Sequence, residues 1–327
     1  MPSENRRLFQ GSLQESLDLF TVGSTTIQKI HEMDLNGFRL GQLFSATDER
    51  LLEKHPGWLV PGTVNGNHAL LSVHIWLVRH EGLTILIDTG AGNDKSRPQQ
   101  KVLDHLSNPF LDRLASAGVM PEMVDFVLHT HIHSDHVGWN TRLVDGRWEP
   151  TFPRATTICS RLEWNYGEAL ADGDERGITA SRAAAGFGDP VRNPVSGTFD
   201  DSMRPLKSTG RVRLVEVNGD EVLPGIRLLP TPGHSIDHAA IELISDGRRA
   251  IFGGDVMHHP LELYDTDLVS TFCEFPEIAR RSRRALLERS ANDKVLYLSA
   301  HFPLSSAGRI TKDGDGYRWT FSEDNSA

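Results

Sequence analysis

The run Thr130-His131-Ile132-His133-Ser134-Asp135-His136 sets four metal-capable side chains within six residues, directly after the apolar segment Val124-Asp125-Phe126-Val127-Leu128. A short segment rich in Val, Leu and Phe reads as a strand, so the run sits where a strand leaves its sheet. Positions 131, 133 and 135 would share one side of an extended segment, and a chain turning off a sheet edge can also bring its ligands inward. Either way the ligands converge. Neutral imidazole with carboxylate suits zinc and admits iron, manganese, cobalt or nickel, whereas calcium and magnesium want an all-oxygen shell.

The rest of the chain sets bounds around that run. With 327 residues, 38% of them apolar, it can bury a substantial core as one large domain or two ordinary ones. A net charge of −10 offers no basic footprint for phosphate backbones and argues against nucleic acid as a partner. Two cysteines, Cys159 and Cys273, cannot form a disulfide framework and do not stand at metal-binding CxxC spacing, so both are expected to be buried thiols. The N-terminus lacks the apolar stretch of a secretory signal, and no window of about 18 apolar residues could span a membrane. These observations predict a soluble, cytoplasmic protein with no membrane partner.

Along the chain, residues 1–24 read as a loosely held polar arm, and Thr25 to His31 alternates like a first strand. Residues 44–67 carry turn formers and an apolar tip, Trp58-Leu59-Val60-Pro61-Gly62, and read as a loop excursion placed to roof a pocket. Leu70 to Val78 and Leu83 to Ile87 form a hairpin pattern ending in Asp88-Thr89-Gly90. Helix-like spacing follows over 100–117, and 163–203 reads as helices with loops. Strands are expected at Val212–Val217, Ile226–Leu229, Ala239–Ile244, Ala250–Phe252 and Val295–Leu298, with a helix over Pro276–Arg289. The pattern implies sheets packed together with helices outside, in a single domain over 25–327.

Three more polar residues stand just past expected strand ends: His234 in Thr231-Pro232-Gly233-His234, Asp255 in Phe252-Gly253-Gly254-Asp255, and His301 in Ser299-Ala300-His301. Strand-end loops can gather such groups from distant sequence and hold them on a rigid scaffold. The combined set His131, His133, Asp135, His136, His234, Asp255 and His301, with Asp88 upstream, resembles the hydrolase branch of the metallo-β-lactamase superfamily over residues 68–310. That resemblance implies an α+β fold, a four-layer αββα sandwich with two metal ions at one edge. It assigns His131, His133 and His234 to the first ion and Asp135, His136 and His301 to the second. Asp255 would bridge them, and Asp88 would orient the ligand loop without ligating. Within the superfamily, Met257-His258-His259-Pro260 and Ala300-His301-Phe302-Pro303 with Gly308-Arg309 resemble the branch of quorum-signal lactonases and methyl parathion hydrolase. Tyr166 is the positional candidate for the lactonases' substrate-polarising tyrosine. His129 is not a ligand of the family and reads as structural.

The chemistry expected of such a site is hydrolysis. Two divalent ions, zinc first among them, would supply a bridging hydroxide near neutral pH and polarise the bond under attack, while Asp135 accepts the nucleophile's proton; Asp135 and Asp255 are the expected catalytic carboxylates. Trp58, Trp139, Trp164, Met257, His258 and Phe272 are the expected pocket residues, which points to an apolar, neutral ester-type substrate: a lactone, aryl ester or phosphotriester. Three alternatives stay open: a di-iron oxidoreductase, disfavoured by His133 where such relatives carry glutamate; a nuclease, disfavoured by charge; and a non-catalytic metal-binding protein. A homodimer is expected through the arm and the apolar tip.

Overall fold

The computed structural model describes residues 19–44, 51–54, 57 and 60–322. Among these, two seven-stranded sheets face each other. The first runs through Leu19–Val22, Thr25–Asp34, Ser72–His80, Leu83–Ile87, Phe126–Leu128, Thr156–Ser160 and Val212–Val215. The second runs through Glu221–Leu223, Ile226–Pro230, Ala239–Ser245, Arg248–Phe252, Leu296–Leu298, Ala307–Asp313 and Gly316–Phe321.

The period of two within each strand builds the layers. Trp76, Val78, Ile85, Ile87 and Leu128 of the first sheet meet Ile241, Leu243, Ala250, Phe252 and Leu298 of the second in one core. The intervening residues point the other way. Ile75, Leu77, Leu86 and Val127 pack under Phe110 and Leu114 of helix Phe110–Ser116. Ala240, Ile251, Val295 and Tyr297 pack under Leu286 and Leu287 of helix Pro276–Asp293. Both faces of the central strands are therefore buried, which is why they read as continuous apolar runs. Each buried Leu or Ile contributes about 1.5–3 kcal/mol. The order helix, sheet, sheet, helix is the expected four-layer α+β sandwich.

Several local expectations change. Leu19–Val22 pairs antiparallel with Thr25–Gln28, so part of the expected arm belongs to the sheet; residues 1–18 lie outside the described residues. The 44–67 excursion contains a short helix, Leu51–Lys54, and Val64–Asn65 of a small hairpin, while its tip residues Trp58 and Leu59 are outside the described residues. The 100–117 segment breaks into two short helical pieces, Lys101–Leu103 and Phe110–Ser116, interrupted where His105 takes a positive φ of 49°. Among the described residues, no helix is long and apolar enough to cross a membrane.

What positions the site is the common stopping point of the inner strands. Ile87 pairs with Leu128 and Leu128 with Ile158, all in parallel; across the sandwich Ile241 pairs with Phe252 and Phe252 with Leu298. Loops beginning at Asp88, His129, Gly253 and Ser299 thus leave the two sheets at one edge. Ala239 N donates to Thr130 O at 2.9 Å and ties the two sheets together there.

Candidate metal centre

Asp88 organises the loop that follows Leu128. Its Oδ1 accepts from Thr130 N and its Oδ2 from Thr130 Oγ1, each at 2.8 Å, and Oδ2 lies 2.9 Å from His136 Nδ1. Burial alone would raise the Asp88 carboxyl, but His136 and His129 beside it outweigh burial and hold it well below the ordinary carboxylate range. A fixed carboxylate at Nδ1 makes that nitrogen the donor, which turns His136 Nε2 into the site as an acceptor. His301 is set in the same way by Ser72 O, 2.9 Å from its Nδ1, and His133 by Glu274 Oε1, 2.8 Å from its Nε2. His129 is buried between Asp88 and Asn140 and belongs to none of the groups of residues able to hold a metal.

The seven expected ligands come together. His131, His133 and His234 form one group, Asp135, His136 and His301 another, and Asp255 joins His131 and His136, with the ligand atoms of each group within 4.8 Å of one another. Asp255 Oδ1 lies 3.2 Å from His136 Nε2 and 3.1 Å from His301 Nε2, while Oδ2 lies 3.1 Å from His234 Nε2. His131 Nε2, His136 Nε2 and Asp255 Oδ1 are buried without a hydrogen-bond partner. Orphaned polar atoms of this kind are costly to bury, and convergent nitrogen and carboxylate donors are the set a transition metal satisfies. Burial, reinforced by the neighbouring imidazoles, holds His131 well below its ordinary value and hence neutral, as ligation requires. At His136, burial is overcome by Asp255, Asp88 and Asp135, which draw the imidazole well above its ordinary value; the local field favours a cation. The residues present therefore fit a divalent metal centre.

A cavity of about 460 Å³ opens above the ligands. Of the residues expected around a pocket, His258 and Phe272 line it. Trp139, Trp164 and Met257 do not, and each has a reason. Trp139 packs on Phe110 with ring centroids 5.2 Å apart and donates from Nε1 to Glu32 at 2.7 Å, under the outer helix. Trp164 meets Phe199 edge-on at 5.1 Å, and Met257 is fully buried beneath helix Pro276–Asp293. Trp58 lies outside the described residues. Tyr166 lines a smaller neighbouring cavity of about 260 Å³, its hydroxyl 3.4 Å from Arg182 Nη2.

Sequence reasoning missed four supporting groups. Glu274 contacts His133, and His238 Nε2 accepts from Asp255 N at 2.9 Å. Glu262 accepts from His258 N at 2.5 Å and pairs with Arg283 at 2.7 Å, both side chains wholly buried. His238 follows Pro-Gly-His at a strand start and carried a residue-type signal; the other three had none.

A family model described as the metallo-beta-lactamase superfamily matches residues 68–301. Hydroxyacylglutathione hydrolase of Aeromonas hydrophila subsp. hydrophila is 31% identical over 105 residues, 31% of this chain and 32% of that protein, so the chain matches about a third of that relative's length. Among solved structures, AidC, a dizinc quorum-quenching lactonase in complex with a product, N-hexanoyl-L-homoserine, superposes with a TM-score of 0.71 at 18% identity, covering 93% of this chain and 96% of that one. The hydrolase AbOPH of the beta lactamase superfamily gives 0.71 at 22% identity over 92% and 95%. The match over 68–301 runs from before Asp88 through the last expected ligand, His301, and the chain belongs to the metallo-beta-lactamase superfamily.

Proposed function

We propose that this protein is a dinuclear metallohydrolase that cleaves an ester-type bond, in a lactone, aryl ester or phosphotriester, of a small molecule with an apolar body. The observation that carries this reading is the pair of three-residue ligand groups joined by Asp255 at the floor of the cavity. His131, His133 and His234 would hold one ion and Asp135, His136 and His301 the other. Such ions would supply a bound water of lowered pKa and would polarise the oxygen of the bond under attack.

The chain's own groups supply the rest. Asp135 is the most exposed of the expected ligands, with its side chain one-fifth accessible at the cavity floor, and its carboxylate would take the proton of the attacking water. Leu35, Phe38, Leu71, Leu103 and Phe272 wall the cavity and exclude bulk water from the reacting bond. A covalent route through cysteine is disfavoured: Cys159 and Cys273 are both buried, burial pushes their thiols up, and neither lines the cavity. AidC is a dizinc lactonase by its description, and hydroxyacylglutathione hydrolase names a hydrolase too; both support the reaction class.

The test is a metal-loaded protein assayed against lactones, aryl esters, carbamates and phosphotriesters with zinc, manganese and cobalt. The reading expects about two ions per chain and turnover of at least one class. Fewer than about one ion per chain after careful purification, or turnover that survives metal removal, would overturn it.

A further inference from the structure

We propose that the substrate carries a carboxylate at the end remote from the scissile bond, and that Arg192 is the residue that reads it. This rests on the hydrolase reading above and names its substrate class further; it also departs from the neutral substrate expected from the sequence.

The first observation is charge. In a chain of net charge −10, the buried arginines are paired: Arg97 makes two hydrogen bonds to Asp201, at 2.6 and 2.8 Å, and Arg283 pairs with Glu262. The cavity over the metal centre is arranged in the opposite sense. Lys101 and Arg192 line it, and its only carboxylates among the described residues are the ligands Asp135 and Asp255. Neither cation has an ion-pair partner among the described residues. With Asp135 and Asp255 engaged by metal, nothing acidic in the cavity wall opposes these two cations, so the cavity as a whole attracts an anion.

The second observation is geometry. Arg192 Nη1 donates to Thr271 O at 3.1 Å, and the guanidinium lies over the Phe272 ring, 5.5 Å from its centroid. Thr271 is itself anchored, its hydroxyl donating to Gln42 O at 2.8 Å. The guanidinium is thus fixed from one edge and one face, while its remaining N–H groups have no hydrogen-bond partner among the described residues. A planar fork held in this way matches a carboxylate with little entropy left to lose. The line from the fork to the metal centre is short. Phe272 lies 6.0 Å from the His258 ring, and His258 Nε2 lies 3.2 Å from Asp255 Oδ2. A substrate with its reacting bond over Asp255 and an apolar spacer along Phe272 delivers its far end to Arg192. One guanidinium balances one negative charge, which suits a carboxylate monoanion, whereas a phosphate dianion would keep a second charge that this residue does not balance.

The experiment compares two esters of equal acyl length, 4-nitrophenyl hexanoate and the mono-4-nitrophenyl ester of adipic acid, with zinc-loaded full-length protein. The wild type is expected to favour the carboxylated ester by about tenfold or more in kcat/KM, chiefly through KM, and to lose that preference at high salt. Arg192→Gln should reduce the charged-to-neutral ratio about tenfold, and Arg192→Glu should invert it. Equal use of both esters by the wild type, or a ratio unmoved in both variants, overturns the inference while leaving the hydrolase reading intact. If neither ester is cleaved, calorimetry with the non-hydrolysable adipic mono-anilide decides. Binding that Arg192→Glu weakens at least about tenfold supports the carboxylate site, and binding that is absent or unaffected overturns it.

Discussion

His133 places its Nε2 2.8 Å from Glu274 Oε1 and its Nδ1 2.8 Å from His234 Nε2. The buried carboxylate makes Nε2 the donor, so the lone pair of Nδ1 is the one turned toward the other imidazoles. Glu274→Ala removes that constraint and leaves a ring free to turn or to change tautomer. The expected outcome is a loss of about 10–100-fold in metal affinity, read by competition with a chelating dye, and a smaller loss in Glu274→Gln, which keeps an acceptor oxygen. Unchanged affinity in both variants would deny Glu274 this role.

Removing a ligand should act on chemistry more than on fold. Asp255→Ala and His133→Ala are each expected to lower hydrolysis of an activated ester at least about a hundredfold, with bound metal reduced in parallel. Metal analysis and kcat on the same preparations check this. Near-normal turnover by metal-free protein would sink the metallohydrolase reading.

Metal removal should also be visible without any substrate. The ligands come from loops of both sheets, so an ion bound only by the folded chain stabilises it by mass action. Chelation is expected to lower the calorimetric midpoint by roughly 5 °C or more, restored by adding zinc. An identical midpoint with and without chelator would mean that the loops are held by protein contacts alone.

The residues that converge on the candidate centre were legible because their chemistry is written in residue type. Three imidazoles and a carboxylate in six residues have few other uses, and His234, Asp255 and His301 each follow an apolar strand that the period of two reveals. The groups that aim them were not legible. Glu274 meets His133 across 141 positions of sequence, and Arg283 reaches Glu262 from an outer helix, so no local spacing records either contact. The aromatic residues misled for a related reason. Trp139 and Met257 stand close to ligands in sequence, but the backbone turns each of them under an outer helix, and proximity along the chain says nothing about which face a side chain takes. The cavity wall came instead from Gln99 to Leu103, where Lys101–Leu103 forms one short helical turn of what had read as a longer helix.

A pH dependence of stability is expected from Lys95, whose side chain is buried beside Arg97 and Asp201, 2.5 Å from Thr141 Oγ1 and 3.6 Å over the Trp148 ring. Burial pushes its ammonium down to about 7, against the opposing pull of Asp201. In the unfolded chain the same group keeps its proton to about 10.4. Between those two values the unfolded state binds more protons than the folded one, so this group makes stability rise with pH across that window; below about 7 both states are protonated and the burial cost is carried in full. Lys95→Met should flatten the stability profile between pH 7 and 9.5 by roughly 1–3 kcal/mol in denaturant titrations. Parallel profiles for wild type and variant would show that Lys95 stays charged throughout.

Besides the Asp88 carboxylate and the Thr89 hydroxyl, backbone hydrogen bonds interlock the loops headed by Asp88 and His136, and Gly138 is where the two backbones touch. Gly138 N donates to Gly90 O at 2.7 Å, Trp139 N to Thr89 O at 2.9 Å, and Thr89 N to His136 O at 2.7 Å. A Cβ on Gly138 would fall 1.8 Å from Ala91 O and 2.0 Å from Ala91 C, backbone atoms with no rotamer to yield. On the facing loop of the contact Gly92 takes a φ of +76°, so that side has no slack either. Gly138→Ala must therefore push the two loops apart, pulling Asp88 away from Thr130 and His136. The expected cost is roughly 2–4 kcal/mol in denaturant unfolding, accompanied by weaker zinc binding. A Gly138→Ala protein with wild-type stability and wild-type zinc affinity would show that the loops are not coupled, and that Asp88 sets His136 without help from the glycine contact.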